Sequence, residues 1–180
     1  MYQRHWFVLR DLKRTNAKES AYVVLSRAEY GLERVFTPLV TKEMTVGGKK
    51  VVRSVPFVSD LLFVYASRAE LDPIVGAIPT LQYRYCKGGA QNAPMQVRDG
   101  EMDAFLRAVS QMESPQYYTP DELPASIFGK PVRVVGGACD GIEGYLLSRK
   151  GSKKKRVVIS VQGLLSVAVE VQPEYIQLLK

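Results

Sequence analysis

The stretch GKPVRVVGGACDGIEGYLL, residues 129–147, sets Gly137, Gly141 and Gly144 directly behind an apolar run, which is the composition of a phosphate-binding loop. Such a loop cradles an anion only if a strand leads into the glycine turn and a helix leads out, so that the helix's first amides and positive dipole end face the ligand. The strand is there, with Val132 and Val134 alternating about Arg133. The helix is not. Residues 142–149 contain Gly144 and run into Gly151 and the basic residues 153–156, and no Gly-Lys-Ser/Thr closes the motif. The glycines are therefore expected to turn the chain between two antiparallel strands.

Other residues capable of chemistry are scattered. The sole histidine, His5, sits beside Trp6 in a strand-like run and reads as a solvent-facing strand residue. Asp121 and Glu122 fall in a proline-rich segment, and Glu101 and Asp103 fall in the first turn of a predicted helix, where they suit its dipole. Cys86 and Cys139 are far apart without metal-type spacing, so neither a disulfide nor a zinc site is indicated. No nucleophile is grouped with a base. The chain reads as a binding protein that uses no metal or cofactor, and not as an enzyme.

What it binds is suggested by charge. The net charge is +7, with residues 1–113 contributing +4 and the much shorter stretch 129–180 contributing +5. Residues 148–156, SRKGSKKKR, hold six basic side chains in nine positions, among them Lys153, Lys154, Lys155 and Arg156. Such a tip attracts phosphates strongly at low salt, and serves equally well as a solvated gatekeeper of a β domain. A second candidate is SVPFVSDLLFVY, residues 54–65, in which Phe57, Leu61, Phe63 and Tyr65 share one strand parity and Val58, Leu62 and Val64 the other. A strand apolar on both faces carries more hydrophobe than one core needs, so one face is expected to meet a partner. On this reading Phe63→Ala weakens binding and spares the fold. No run approaches the roughly 20 apolar residues of a membrane span, and the start lacks a signal-peptide core, so a cytoplasmic location without membrane contact is expected.

The elements that must position these residues are expected as follows. A first strand covers residues 5–10, and a helix spaced on Ala21, Val24, Leu25 and Ala28 opens from a capping pair Asn16/Glu19. Strand segments 33–46 and 49–66 flank Gly47-Gly48, a hairpin signal, with a bend expected near Pro56 and Ser59-Asp60. Ser67/Glu70 caps a second helix toward Ala77, residues 81–86 form a fourth strand, and residues 100–112 a third helix with Met102, Phe105, Leu106 and Val109 on one face. SPQYYTPDELPAS, residues 114–126, carries three prolines and no periodicity and marks the boundary. The result is an α+β domain over 1–113, a four-stranded antiparallel sheet with flanking helices, then a linker over 114–128 and a small all-β barrel over 129–180.

The pattern W-F-V-L, a helix, V-F-T-P-L-V-T-K-E, a Gly-Gly hairpin, a proline-containing strand ending L-F-V, and then G-K-P-V-R-V-V-G-G-A-C-D-G-I-E-G-Y resembles the NusG family of bacterial transcription elongation factors across nearly the whole chain. The resemblance implies an N-terminal NGN domain and a C-terminal KOW domain, with Gly129, Val132, Val134, Gly137, Gly141 and Gly144 matching the KOW motif. It implies that the NGN domain binds RNA polymerase through an apolar depression, here carried by Phe57, Val58, Leu61 and Phe63 with Arg10 on its charged rim. The family's aromatic Phe-Pro-Gly/Asn-Tyr segment is replaced by Val58, Ser59, Asp60 and Leu61, a departure more similar to the specialised, operon-specific paralogues such as RfaH and UpxY. Those members also touch non-template DNA through a basic loop, matched here by Lys13, Arg14 and Lys18. Implied partners are thus RNA polymerase, non-template DNA or nascent RNA, and a ribosomal or termination factor for the KOW domain, the protein acting as a monomer that suppresses pausing or termination. The alternative is a KOW-type RNA-binding or ribosome-associated protein dominated by the lysine tip.

Overall fold

The computed structural model of the protein describes residues 3–13, 19–86, 93–123, 128–147, 155–161 and 163–180, and the chain divides into two compact units, residues 1–99 and 100–180. The division lies upstream of the proline-rich stretch that the sequence suggests as the boundary.

The first unit is organised about strand β1 (His5–Asp11), whose residues Trp6, Phe7, Val8 and Leu9 are all buried, as befits a central strand covered on both faces. It pairs antiparallel with β5 (Leu61–Ala66), His5 opposite Ala66 and Arg10 opposite Leu61. Strand β2 (Arg34–Phe36) flanks β5 on the outside. The other edge of β1 is shared: β6 (Leu81–Tyr83) pairs with its C-terminal half and β7 (Gln96–Val97) with its N-terminal half. The sheet is therefore five-stranded, one more than the sequence suggests, because β7 is only two residues long and too short to show a period.

Alternation sends Phe7, Leu9, Leu62, Val64, Leu81 and Tyr83 to one face, where Ala21 and Leu25 of helix α1 (Ala21–Leu25) and Leu71 of helix α2 (Arg68–Ala77) meet them. Trp6, Val8, Leu61 and Phe63 lie on the other face. They are buried as well, with Phe63 at 0% and Leu61 at 3% exposure. This corrects the expectation that Leu61 and Phe63 offer a free apolar surface: two-sided burial of the central strands accounts for their double-faced hydrophobicity, and both belong to the core.

The long strand segments read from the sequence each break in two. Pro38 has no amide to donate, and its carbonyl instead accepts from Phe57 N at 2.7 Å, while buried Thr37 donates its hydroxyl to Leu61 O at 2.7 Å. These bonds pinch off a separate two-stranded sheet, β3 (Leu39–Val46) with β4 (Lys49–Pro56), closed at Gly47 and Gly48 with φ of +57° and +78°. Positive φ at both central residues is what the Gly-Gly signal predicts.

Helix α1 is shorter than its periodicity suggests. Asn16 lies outside the described residues; the cap is Ser20, whose hydroxyl accepts from Val23 N, and the buried carboxylate of Asp11 accepts from Ala21 N at 2.7 Å. Ala28 belongs to a single 3₁₀ turn that ends at Gly31. Helix α2 has the expected capping box, Ser67 Oγ accepting from Glu70 N and the Glu70 carboxylate from Ser67 N. Arg4 then lays its guanidinium on the same carboxylate.

In the second unit, helix α3 (Asp99–Ser110) buries Met102, Phe105 and Ala108, while Leu106 and Val109 are only half-buried. Phe105 stacks on Tyr117 with ring centroids 6.3 Å apart, and Arg107 donates to Asp140 O at 2.9 Å. The remaining strands are β8 (Tyr117–Tyr118), β9 (Pro131–Val134), β10 (Glu143–Leu147), β11 (Lys155–Val161), β12 (Leu165–Val171) and β13 (Ile176–Leu178). They pair antiparallel in the order β13-β9-β10-β11-β12-β8. Tyr117 and Tyr118 come from the segment expected to be a linker, and so does Leu123, which packs with Val158 and Ala168 on the second face of the sheet. That cover explains why β11 and β12 bury both parities, where the sequence suggests clean alternation.

Two outcomes follow. Phe63→Ala should lower the stability of the protein by roughly 3 kcal/mol or more, read as a fall in the urea midpoint, as for a fully buried aromatic. For Glu70, the hydrogen bond from Arg4, and then those from the Ser67 backbone and hydroxyl, hold the carboxyl at about 2 against an ordinary 4.5. A depressed folded-state value adds stability above pH 4.5 that is lost as the pH falls through about 2. Thermal melts should therefore show wild type above Glu70→Gln at pH 6, and the gap closing on acidification toward pH 2.

Candidate functional site

The C-terminal end of β1 brings together charges far apart in sequence. Because Arg10 stands opposite Leu61 in one register and Leu9 stands opposite Tyr83 in the other, Asp60, next to Leu61, and Arg84, next to Tyr83, both reach Arg10's end of the strand. One oxygen of Asp60, Oδ2, accepts from Arg10 Nε at 3.3 Å and from Arg84 Nη2 at 3.1 Å. Backbone bonds hold the geometry: Asp11 N donates to Asp60 O, and Arg84 N donates to Val8 O at 2.9 Å. Two guanidiniums thus share a single carboxylate, leaving one positive charge in excess and several donors unused.

A cavity of about 700 Å³ opens here, lined by Arg10, Val75, Gln82, Tyr83, Arg84 and Tyr85. Tyr85 is 55% exposed on its rim. Tyr83 is held from behind: its hydroxyl donates to Asp72 Oδ1 at 2.7 Å, and Arg68, bound to the same carboxylate oxygen at 2.7 Å, lies over its ring. Burial, and then the bond to Asp72, push the Tyr83 hydroxyl well above its ordinary value, so it acts as a donor and not as an acid. The turn that delivers Asp60 also carries Phe57 and Val58, both half-buried, and is closed by Leu61 N donating to Val58 O. The site therefore offers cationic donors, an exposed aromatic ring and neighbouring apolar side chains. It suits an anionic or amphipathic acidic partner, and contains no acid/base pair.

The other residues singled out by sequence are placed as follows. Lys13 donates its ammonium to Glu19 O at 3.1 Å, tying down the approach to α1. Arg14, Lys18, Lys153 and Lys154 lie outside the described residues. Lys155 is exposed at the start of β11, whereas Arg156 is half-buried and ion-paired with Glu170 at 3.2 Å. Val132 and Val134 are buried on β9. The glycine run is a strand turn: Gly136 N donates to Asp140 Oδ1 at 2.6 Å and Gly141 N to Val134 O at 2.7 Å, which consumes amides a phosphate would need, and β10 follows in place of a helix. Gly137 and Gly141 have φ of +68° and +77°, while a Cβ at Gly144 would stand 2.4 Å from Val158 O. Burial raises the Cys139 thiol, opposed by Arg107, so it is no activated nucleophile. Among the described residues no three His, Cys, Asp or Glu side chains group as a metal site, and no helix is long and apolar enough to cross a membrane.

Gln82, Arg84 and Tyr85 carry no local signal in the sequence, and Asp60 shows there only as part of a bend. Only the pairing of β1 with both β5 and β6 reveals them.

No family model matches the chain, and no curated protein matches it. Among the solved structures that match is one from Thermotoga maritima. It is described as "Domain interaction in Thermotoga maritima NusG", with 15% sequence identity, a TM-score of 0.47, and coverage of 99% of this chain and 98% of that one.

Removing the shared carboxylate should tell whether the cluster is held for stability. Asp60→Asn is expected to cost about 1 kcal/mol in urea unfolding, the upper end for exposed ion pairs, because Asp60 and Arg84 are half-buried. The loss should shrink in 1 M NaCl, where the Debye length is about 3 Å.

Proposed function

We propose that this protein is a NusG-like transcription elongation and antitermination factor, a binding protein that acts on RNA polymerase as a monomer. The reading rests on the run of NusG-like segments along the chain, from W-F-V-L in β1 to the glycine turn between β9 and β10. The observation that carries the polymerase contact is the Asp60 carboxylate shared by Arg10 and Arg84 beside Phe57 and Val58. A surplus cation set next to half-buried apolar side chains is complementary to an amphipathic, acidic helical surface: apolar anchors supply affinity, and the charged rim supplies orientation and encounter rate. In this scheme Leu61 and Phe63 support the site from the core and do not touch the partner.

The mechanism is physical. A factor that binds the closed form of the polymerase more tightly than the open form shifts the enzyme toward the closed form by its differential affinity, and so reduces pausing and termination. The second unit, with its buried glycine-turn sheet and the exposed Lys155, recruits a further partner from the ribosome or the termination machinery.

The test is titration of the intact chain with bacterial core RNA polymerase, followed by transcription on a template with a defined pause. Wild type should bind at micromolar concentration or below and shorten the pause. Arg10→Gln with Arg84→Gln should weaken binding by about tenfold or more while the melting curve shifts little further than that of Asp60→Asn. Absence of binding by the intact, folded chain would refute the reading.

A further inference from the structure

The hairpin of β3 and β4 is a second, independent surface. It forms its own two-stranded sheet of eight residues per strand, outside the five-stranded sheet of its unit. Every residue from 41 to 50 is exposed, and so are Val52, Arg53 and Ser54. Two-stranded ribbons have little stability of their own, and this one presents Met44, Val46 and Val52 to solvent at 44%, 46% and 63% exposure.

Its register sorts the charges. Residues directly opposite share a face, so Val40, Lys42, Met44 and Val46 lie on one face with Val55, Arg53, Val51 and Lys49. That face carries three cations and no carboxylate. Glu43, the ribbon's one acidic residue, stands opposite Val52 on the other face. Lys42 stands directly opposite Arg53, a like-charge pair that destabilises a ribbon, and no ion pair among the described residues relieves Lys42, Lys49 or Arg53. An anion laid against this face would offset the cost that the like-charge pair imposes on the ribbon.

We propose that this face of the β3–β4 ribbon is a binding arm for duplex DNA. Eight residues at about 3.4 Å each give a ribbon roughly 27 Å long, and two strands about 4.8 Å apart fit a B-form major groove about 12 Å wide. The cations meet the phosphates lining the groove, and Met44 and Val46 between them meet sugars and thymine methyl groups. The tip presents no side chain: a Cβ at Gly47 or Gly48 would find nothing within 4 Å, so the arm enters without obstruction. The deep, narrow major groove of duplex RNA does not admit such a ribbon, which selects DNA. The arm is distinct from the Arg10–Asp60–Arg84 site and does not depend on polymerase binding.

The experiment is fluorescence anisotropy of the intact chain with a labelled 20-base-pair DNA duplex at 50 and 200 mM NaCl. Wild type is compared with Lys42→Gln/Lys49→Gln/Arg53→Gln and with a control carrying Lys130→Gln, an exposed lysine outside the ribbon, and thermal melts confirm that each is folded. Three lost phosphate contacts reduce the salt slope by about 2.7, so wild-type affinity should fall by about fortyfold more than the triple variant's between the two salts. The control should keep most of the slope. Three results would overturn the proposal: a triple variant with wild-type affinity and slope, an equal effect of the triple change on duplex RNA binding, or binding by wild type to vesicles of anionic phospholipid but not to the DNA duplex.

Discussion

The antiparallel pairing of β1 with β5 is the constraint on which the first unit depends. Both strands are buried on both faces, so neither can slip by one residue without sending charged Arg10 inward and an aromatic ring outward. That register sets Phe7 against Val64 and Leu9 against Leu62 under the two helices, and Val8 against Phe63 on the far face. It also ends at Arg10 and Leu61, which is why Asp60 arrives beside Arg10. The core and the candidate site are two consequences of one alignment, the first apolar and the second starting where the apolar run stops.

Charge is distributed with a corresponding logic. Several cations are spent locally: Arg4 joins Glu33 to Glu70, Arg68 joins Asp72 and overlies Tyr83, and Arg133 is bound to Glu143 across β9 and β10. These exposed pairs orient loops and caps and add little stability each. The net charge of +7 can act on a partner through cations left over, and two groups of these among the described residues of the first unit are the pair of arginines sharing Asp60 and the cationic face of the β3–β4 ribbon. A weakly compensated cluster beside apolar side chains favours a protein partner, whereas a ribbon with cations spaced along its length favours a repeating line of phosphates.

The second unit shows how close packing dictates glycine. Strands β10 and β11 approach so nearly that a Cβ at Gly144 would overlap the Val158 carbonyl at 2.4 Å, and Gly129 meets Leu146 O in the same way at 2.5 Å. The proline-rich segment ahead of β9 is equally constrained, since Tyr117, Leu123 and Phe128 are built into or onto the sheet, Phe128 stacking on Tyr145 at 5.2 Å. Prolines deny that segment a regular ladder but leave its large apolar side chains free to cover the sheet's second face.

Local rules by themselves determined the Ser67/Glu70 cap, the Gly47-Gly48 turn, the third helix to within two residues, the alternation of Val132 and Val134, and the rejection of a phosphate loop after Gly137. Each depends on contacts within a few residues, so the sequence states it directly. Only the tertiary structure decided that Leu61 and Phe63 are core, that α1 starts at Ala21, and that Tyr117, Tyr118, Leu123 and Phe128 pack with the β strands that follow. It alone assembled Arg10, Asp60 and Arg84. Hydrophobic patterning reports that a face must be covered but not by what, and a charge reports its sign but not its neighbour. Both are set by strand register between segments 50 or more residues apart, as Arg10 and Asp60 are, and no local signal encodes that.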